Sequence, residues 1–412
     1  MDLKARHMNL SIISETISIP TFSISNSKSL HSLMLQHYLP IDHSSTKIVP
    51  NQFLDLKHLR MLSLSGSLME LPTNIGDLIH LRYLNLFDIG LEFELPPAIG
   101  NLLNLQTLRL FQCRVTRLPE EVGKLIHLRY LYADYGRLRW PKGIGRCTSL
   151  QTLKRIPCGS DDQYFQLRDF GNLNCLRDIF LTNLGTKEHL DEAREAQLQN
   201  KTALVDLSLF FRDDDTEGGQ THTDVLEALK PHPNLTSLLI SYYRGPSISP
   251  SWMTSLVNLK KLHLRRSHYE SLPNLGKLQS LEELVIGRSS SLKRLGPEFL
   301  GVEMVDSQLK MVPGTILFPK LKEIFFERAQ SLREWDGVPG WTVNFPLKIM
   351  PRLQSLTLRD CSSLESLPDF LESTPLEYLS ISGSQAMCES CKKETGRDWP
   401  KIRHVPNIYV TM

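Results

Sequence analysis

Leucine recurs along the chain in a short phrase, LxxLxL, in which apolar and polar positions alternate after the opening residue. The opening leucines are Leu30, Leu59, Leu81, Leu105, Leu128, Leu150, Leu176, Leu204, Leu235, Leu259, Leu281, Leu321, Leu353 and Leu376. Leu59, Leu62 and Leu64 make one clean copy, and Leu105, Leu108 and Leu110 another, whereas the copy at Leu150 decays after Leu153. Alternation with a period of two over so few residues predicts a short strand whose second and third leucines point to one side. A further strand is expected through Met8 to Ile12. The widest gap, from Leu281 to Leu321, predicts a long loop.

No single copy can bury its own leucines, so successive copies must stack and share one core. Their spacing predicts an α/β leucine-rich-repeat solenoid. This is a curved horseshoe with a parallel concave sheet of about fifteen short strands, and with short helices and irregular loops on its convex side. The return limbs read LPxxIGxLxxL at Leu71–Gly76, Leu95–Gly100 and Leu118–Gly123. There proline is expected to open a short helical turn and glycine to close it at a positive φ. One domain, 1–412, is expected, entered by a coil over 1–29 and followed by regular repeats over 30–155. Irregular repeats with a helical and acidic insertion follow over 156–234, then C-terminal repeats over 235–386 with a long loop at 289–320, and a cap over 387–412. Within the insertion, Lys187–Asn200 has helical spacing, and an acid-rich stretch covers Asp213–Gly219.

Composition narrows the class without naming a chemistry. The 412 residues are 41% hydrophobic and 22% charged, with a formal net charge of +2, which excludes general disorder and a surface built around nucleic acid. No apolar run is long enough to span a bilayer, and seven cysteines form no disulfide framework, so a soluble, cytoplasmic protein is expected. There is no GxxxxGK[ST] loop, GxSxG elbow, HExxH or kinase motif set, so neither catalytic residues nor a cofactor site is expected. Cys388, Cys391 and His404 copy part of a zinc-finger spacing but lack the fourth ligand, so no metal site is expected either. Cys113 and Cys361 fall eight residues after an opening leucine, where a side chain can bond to backbone leaving the strand.

Aligning the repeats predicts what the free face of the sheet displays. Tyr83 and Tyr130 take the third position of their repeats, Arg109, Tyr132 and Lys154 the fifth, and Phe87 and Phe111 the seventh. Neighbouring strands then place Phe87 beside Phe111 and Tyr132 between Arg109 and Lys154. Aromatic rings flanked by cations are typical binding anchors, although another domain can equally cover such a face. Farther on, Lys260, Lys261, His263, Arg265, Arg266 and His268 form a basic strand opposed by Glu282 and Glu283 on the next repeat.

Longer segments are more specific than the leucine phrase. They include ARHMNLSII (5–13), DEAREAQLQNKTALVDLSL (191–209), VLEALKPHPNLTSLLI (225–240) and PSWM (250–253). LPNLGKLQSLEELVI (272–286), LKRLGPEFLG (292–301), FPKLKEIFF with LREW (318–335), LTLRDCSSLESLP (356–368) and DWPKIRHVPNIYV (398–410) complete the set. In these segments and their order the chain resembles the leucine-rich-repeat half of plant nucleotide-binding leucine-rich-repeat disease-resistance proteins of the coiled-coil class. The resemblance implies an intracellular immune receptor that recognises a pathogen effector or a guarded host protein. It also implies autoinhibition of a nucleotide switch, the NB-ARC module, in cis or in trans. ADP or ATP is expected only on that module, which this sequence does not contain alongside the repeats. Ligand contact is expected on the basic strand and on Glu323, Phe325, Glu327 and Arg328. A stand-alone scaffold or decoy that binds a protein partner without nucleotide is the alternative.

Overall fold

The computed structural model describes residues 6–12, 29–37, 56–65, 71, 73–87, 93–113, 115–133, 138–159, 165–213, 219–305, 308–310, 314–342 and 346–411. The chain divides into two compact units, Met1–Leu181 with Glu195–Gln197, and Thr182–Arg194 with Leu198–Met412. In the first unit, strands β1 (His7–Ile12), β2 (Ser32–His37), β3 (Met61–Ser65), β4 (Tyr83–Phe87), β5 (Thr107–Phe111), β6 (Tyr130–Ala133) and β7 (Thr152–Pro157) pair in chain order, all parallel. Strand β8 (Asp178–Leu184) contains the division between Leu181 and Thr182. In the second unit, β9 (Asp206–Phe211), β10 (Ser237–Ser241), β11 (Lys261–Arg265) and β12 (Glu283–Gly287) pair in the same way. They are followed by β13 (Glu323–Glu327), β14 (Ser355–Arg359), β15 (Tyr378–Ser382) and β16 (Asn407–Thr411).

The leucines of the repeated phrase take the buried side of their strands. Leu84 and Leu86 are wholly buried, as are Leu62, Leu108, Leu262 and Leu264, together with the opening leucines Leu59, Leu81 and Leu105. Each buried leucine side chain contributes about 1.5–3 kcal/mol, so the core is assembled from many equal increments. Two strands differ from expectation. The strand after Leu150 continues to Pro157, because Ile156 re-enters the core beyond the decayed phrase. A last strand, Asn407–Thr411, adds to β15 without any leucine, its backbone completing the ladder.

The return limbs hold short 3-10 helices at Thr73–Asp77, Pro97–Asn101, Glu120–Lys124 and Ile144–Arg146. The motif prolines Pro96 and Pro119 sit immediately before their turns, at the N-cap, and Pro97 begins the turn that follows Pro96. Glycine acts differently from expectation: Gly76, Gly100 and Gly123 do not take a positive φ. A Cβ on them would instead meet the next repeat's backbone, 2.8 Å from Ala98 O, 2.7 Å from Glu121 O and 2.8 Å from Gly143 O respectively. Close approach between neighbouring coils is what requires glycine here.

The helical insertion forms as an α-helix at Glu188–Glu195 and a 3-10 turn at Leu198–Asn200, burying His189, Ala193 and Leu198. Within the acidic stretch, residues 214–218 lie outside the described residues, and a second α-helix follows at Gly219–Ala228. His189 accepts a hydrogen bond at Nδ1 from the Thr186 backbone N–H at 3.2 Å, and burial pushes its pKa from 6.5 down to about 4. Between these values the unfolded chain binds a proton that the folded chain refuses, so stability falls as pH drops through that window. The expected loss from pH 7 to pH 4 is about 3 kcal/mol. Urea midpoints at both pH values check it. A His189→Gln chain should lose that part of the slope, and an identical slope in the two proteins would refute the assignment.

Candidate recognition face

In the first unit the register sets Asn85 beside Arg109 and Phe87 beside Phe111. The two phenyl rings stack with centroids 5.8 Å apart and planes 11° from parallel, and they stay 37% and 41% exposed. On the next rung Tyr132 lies opposite Arg109, whose guanidinium sits 5.8 Å from the tyrosine ring. The same arginine reaches the Tyr83 hydroxyl at 3.5 Å. Tyr130 runs parallel to Tyr132 and donates to Gln151 Oε1 at 3.0 Å. Lys154 forms a salt bridge with Asp178 at 2.7 Å, so its charge has an internal partner. Strand alternation thus gathers Tyr83, Phe87, Arg109, Phe111, Tyr130 and Tyr132 on one face of β4–β6.

In the second unit, the basic strand is answered by acids on the following rung. Lys261 and His263 both reach Glu283 at 2.8 Å, and Lys260 lies 3.9 Å from Glu282. Partial burial opposes ionisation of Glu283, but hydrogen bonds from Lys261 and His263 outweigh it and hold the carboxyl below its usual range. Glu282 is lowered chiefly by its hydrogen bond from Lys322, at 2.6 Å. The exposed Arg265 and Arg266 are not drawn into this group; Arg266 sits over the Tyr242 ring at 5.4 Å. His268 Nδ1 meets Ser290 Oγ at 2.6 Å. On β13, Glu323 and Phe325 lie beside Glu283 and Val285. The Arg359 guanidinium rests 5.3 Å from the Phe325 ring and 4.0 Å from Glu327, and Arg328 lies 3.5 Å from Asp360. The structure therefore splits the expected basic strand into a neutralised half at its start and a cationic half at its end.

The groups that suggested other chemistry have structural partners. Burial pushes Cys147 and Cys391 up to about 12 and Cys361 to about 11, which removes the thiolate needed for nucleophilic work. Cys113 Sγ donates to Leu86 O on the preceding rung at 3.0 Å, and Cys361 Sγ to Arg359 O at 3.6 Å. His404 Nε2 meets Thr374 O at 2.9 Å, and Cys388 Sγ donates to Thr411 O at 3.6 Å. No helix among the described residues is long and apolar enough to cross a membrane.

Comparison with known proteins decides the family. The family model described as a leucine-rich repeat region matches residues 73–382. The chain belongs to the leucine-rich repeat proteins. Its repeats are of the kind found in plant disease resistance proteins. Over 342 residues, 77% of this chain and 33% of the relative, it is 36% identical to disease resistance protein RGA1 of Solanum bulbocastanum. Disease resistance protein RGA2 of the same species is 30% identical over 225 residues, 53% of this chain and 22% of the relative. The leucine-rich repeat chain thus spans a third or less of the length of these relatives. Among solved structures, a leucine-rich repeat protein of Leptospira interrogans aligns with a TM-score of 0.56 at 21% identity, covering 93% of this chain and 91% of that one. At that identity the likeness concerns the fold alone.

Proposed function

We propose that this chain is the sensor region of a plant immune receptor, recognising a pathogen effector or a guarded host protein through the face of β10–β14. In the same reading, the aromatic face of β4–β6 rests against a nucleotide-switch module and holds it closed. The observation that carries the second part is the stacked, half-exposed pair Phe87 and Phe111 beside Arg109 and Tyr132. Exposed aromatic rings and arginine are the residue types most enriched among the anchors of protein interfaces. The disease resistance relatives supply the biological setting. Activation is then a population shift: a ligand that binds the open form better draws the equilibrium toward it.

The test is capture of a nucleotide-binding module of the coiled-coil resistance class by this chain, loaded with ADP or with ATP. Phe87→Ser combined with Phe111→Ser should weaken capture of the ADP form at least about tenfold, since two ring contacts are lost. Equal capture by the parent and the double variant would overturn the autoinhibitory reading. Capture indifferent to the nucleotide would replace the switch with a plain scaffold.

A further inference from the structure

At one recurring position in the second unit, the backbone adopts a conformation that its side chains do not favour. Tyr242, Arg266, Arg288, Arg328 and Asp360 directly follow β10, β11, β12, β13 and β14, with φ of 60°, 49°, 52°, 51° and 54°. Gly383 follows β15 in the same place at 72°. Each N–H is spent on the next rung: Arg266 to Gly287 O at 2.7 Å, Arg288 to Glu327 O at 2.6 Å, Arg328 to Arg359 O at 2.8 Å. Any residue except proline supplies that bond, and glycine or asparagine supplies it with less strain. Gly383, and Asn183 at φ 64°, show that this fold also uses the easier residues in the left-handed region. Three successive arginines are therefore not explained by the backbone.

Internal pairing does not explain them either. Arg266 lies over Tyr242 and donates to its hydroxyl, and Arg328 makes a half-exposed pair with Asp360. Arg288, between them, is exposed and has no ion pair among the described residues. Arg265 and Arg359 add two more guanidiniums at the strand ends, against the carboxylates of Glu327 and Asp360. Gly287 places no side chain between Arg265 and Glu327, whose side chains close over its buried backbone. Adjacent rungs lie ~4.8 Å apart, so the guanidiniums repel one another along the row.

We propose that this row of arginines binds a segment rich in aspartate or glutamate on the recognised protein, with Arg288 at its centre. The row is closed by Tyr242 at one end and Asp360 at the other, with Glu327 set among the cations. Those acids repel any polyanion, so the segment's carboxylates must fall opposite the arginines. The half-buried Phe325, on the strand before Arg328, provides the apolar contact that a protein chain uses. This deepens the reading of β10–β14 as a recognition face and rests on it.

The experiment titrates a fluorescein-labelled hexaglutamate peptide, and separately a labelled six-nucleotide thymidine oligomer, into the purified chain at low salt. Arg288→Asn should weaken peptide binding about tenfold, and asparagine at positions 266, 288 and 328 together should remove it. Because asparagine suits the left-handed backbone, the triple variant should melt no lower than the parent. Unchanged peptide affinity in the triple variant would overturn the proposal, as would tighter, equally arginine-dependent binding of the oligomer. A lower melting temperature in Arg288→Asn would make the arginines structural and overturn it too. The Phe87→Ser, Phe111→Ser chain should bind the peptide as the parent does, so failure of the arginine site and failure of the β4–β6 reading are separable.

Discussion

Gly276→Ala is expected to destabilise the second unit by about 3 kcal/mol, the upper end of the usual cost of overpacking and a large part of the stability a domain of this kind possesses. A Cβ at this position would overlap Leu300 O and lie 2.5 Å from its carbonyl carbon. Both atoms belong to backbone, at the end of the helix Pro297–Leu300, so no rotamer change relieves the clash. Relief requires the helix and the glycine's coil to separate, which opens the core between Leu275 and Phe299, both now buried. Chemical denaturation followed by circular dichroism measures the loss. A midpoint equal to that of the parent would show that these coils can part without cost.

The second large effect is expected at Asp398, which is fully buried in the C-terminal cap. Its Oδ2 accepts hydrogen bonds from the Leu367 N–H at 3.0 Å and from Ser390 Oγ at 2.6 Å. Lys401 Nζ stands 2.9 Å from Oδ1 and also 2.8 Å from Asp369. One carboxylate thus ties the return limb of the penultimate repeat to the two cap helices, Gln385–Ser390 and Trp399–Ile402. Asp398→Ala leaves a half-buried ammonium, an amide and a hydroxyl short of a partner, a loss of about 3–5 kcal/mol. Asp398→Asn keeps the acceptor oxygen and should fall between the parent and alanine. Hydrogen exchange at Leu367 is the sharpest readout: unaltered protection in the alanine variant would refute the role.

The leucine phrase carried the architecture because its period is the period of the strand itself. Once the opening leucine of each copy is set, the lateral neighbours follow, which is why the Phe87–Phe111 stack and the Arg109–Tyr132 contact could be read from alignment alone. The acids opposing Lys261 and His263 were legible for the same reason. What was not legible lies outside the phrase. The reason for glycine in the LPxxIG limb is a distance to the next coil, which no single repeat encodes. The last strand has no leucine, because at the end of a stack pairing needs only backbone. Arg288 looked like any surface arginine until Gly383 and Asn183 showed which backbone region the fold uses at its turns. Asp398 and His189 are polar letters in polar surroundings, and only packing reveals that they are buried.

The alternation along each strand has a consequence for how such a protein changes over generations. In β11, Leu262 and Leu264 serve the core, while Lys261, His263 and Arg265 point away from it. A substitution at an outward slot alters what the strand meets and leaves the leucine stack intact. Recognition and folding are thus written in different letters of the same five-residue word. Selection can revise one rung of the face at a time, under pressure from a changing partner, without passing through unfolded intermediates.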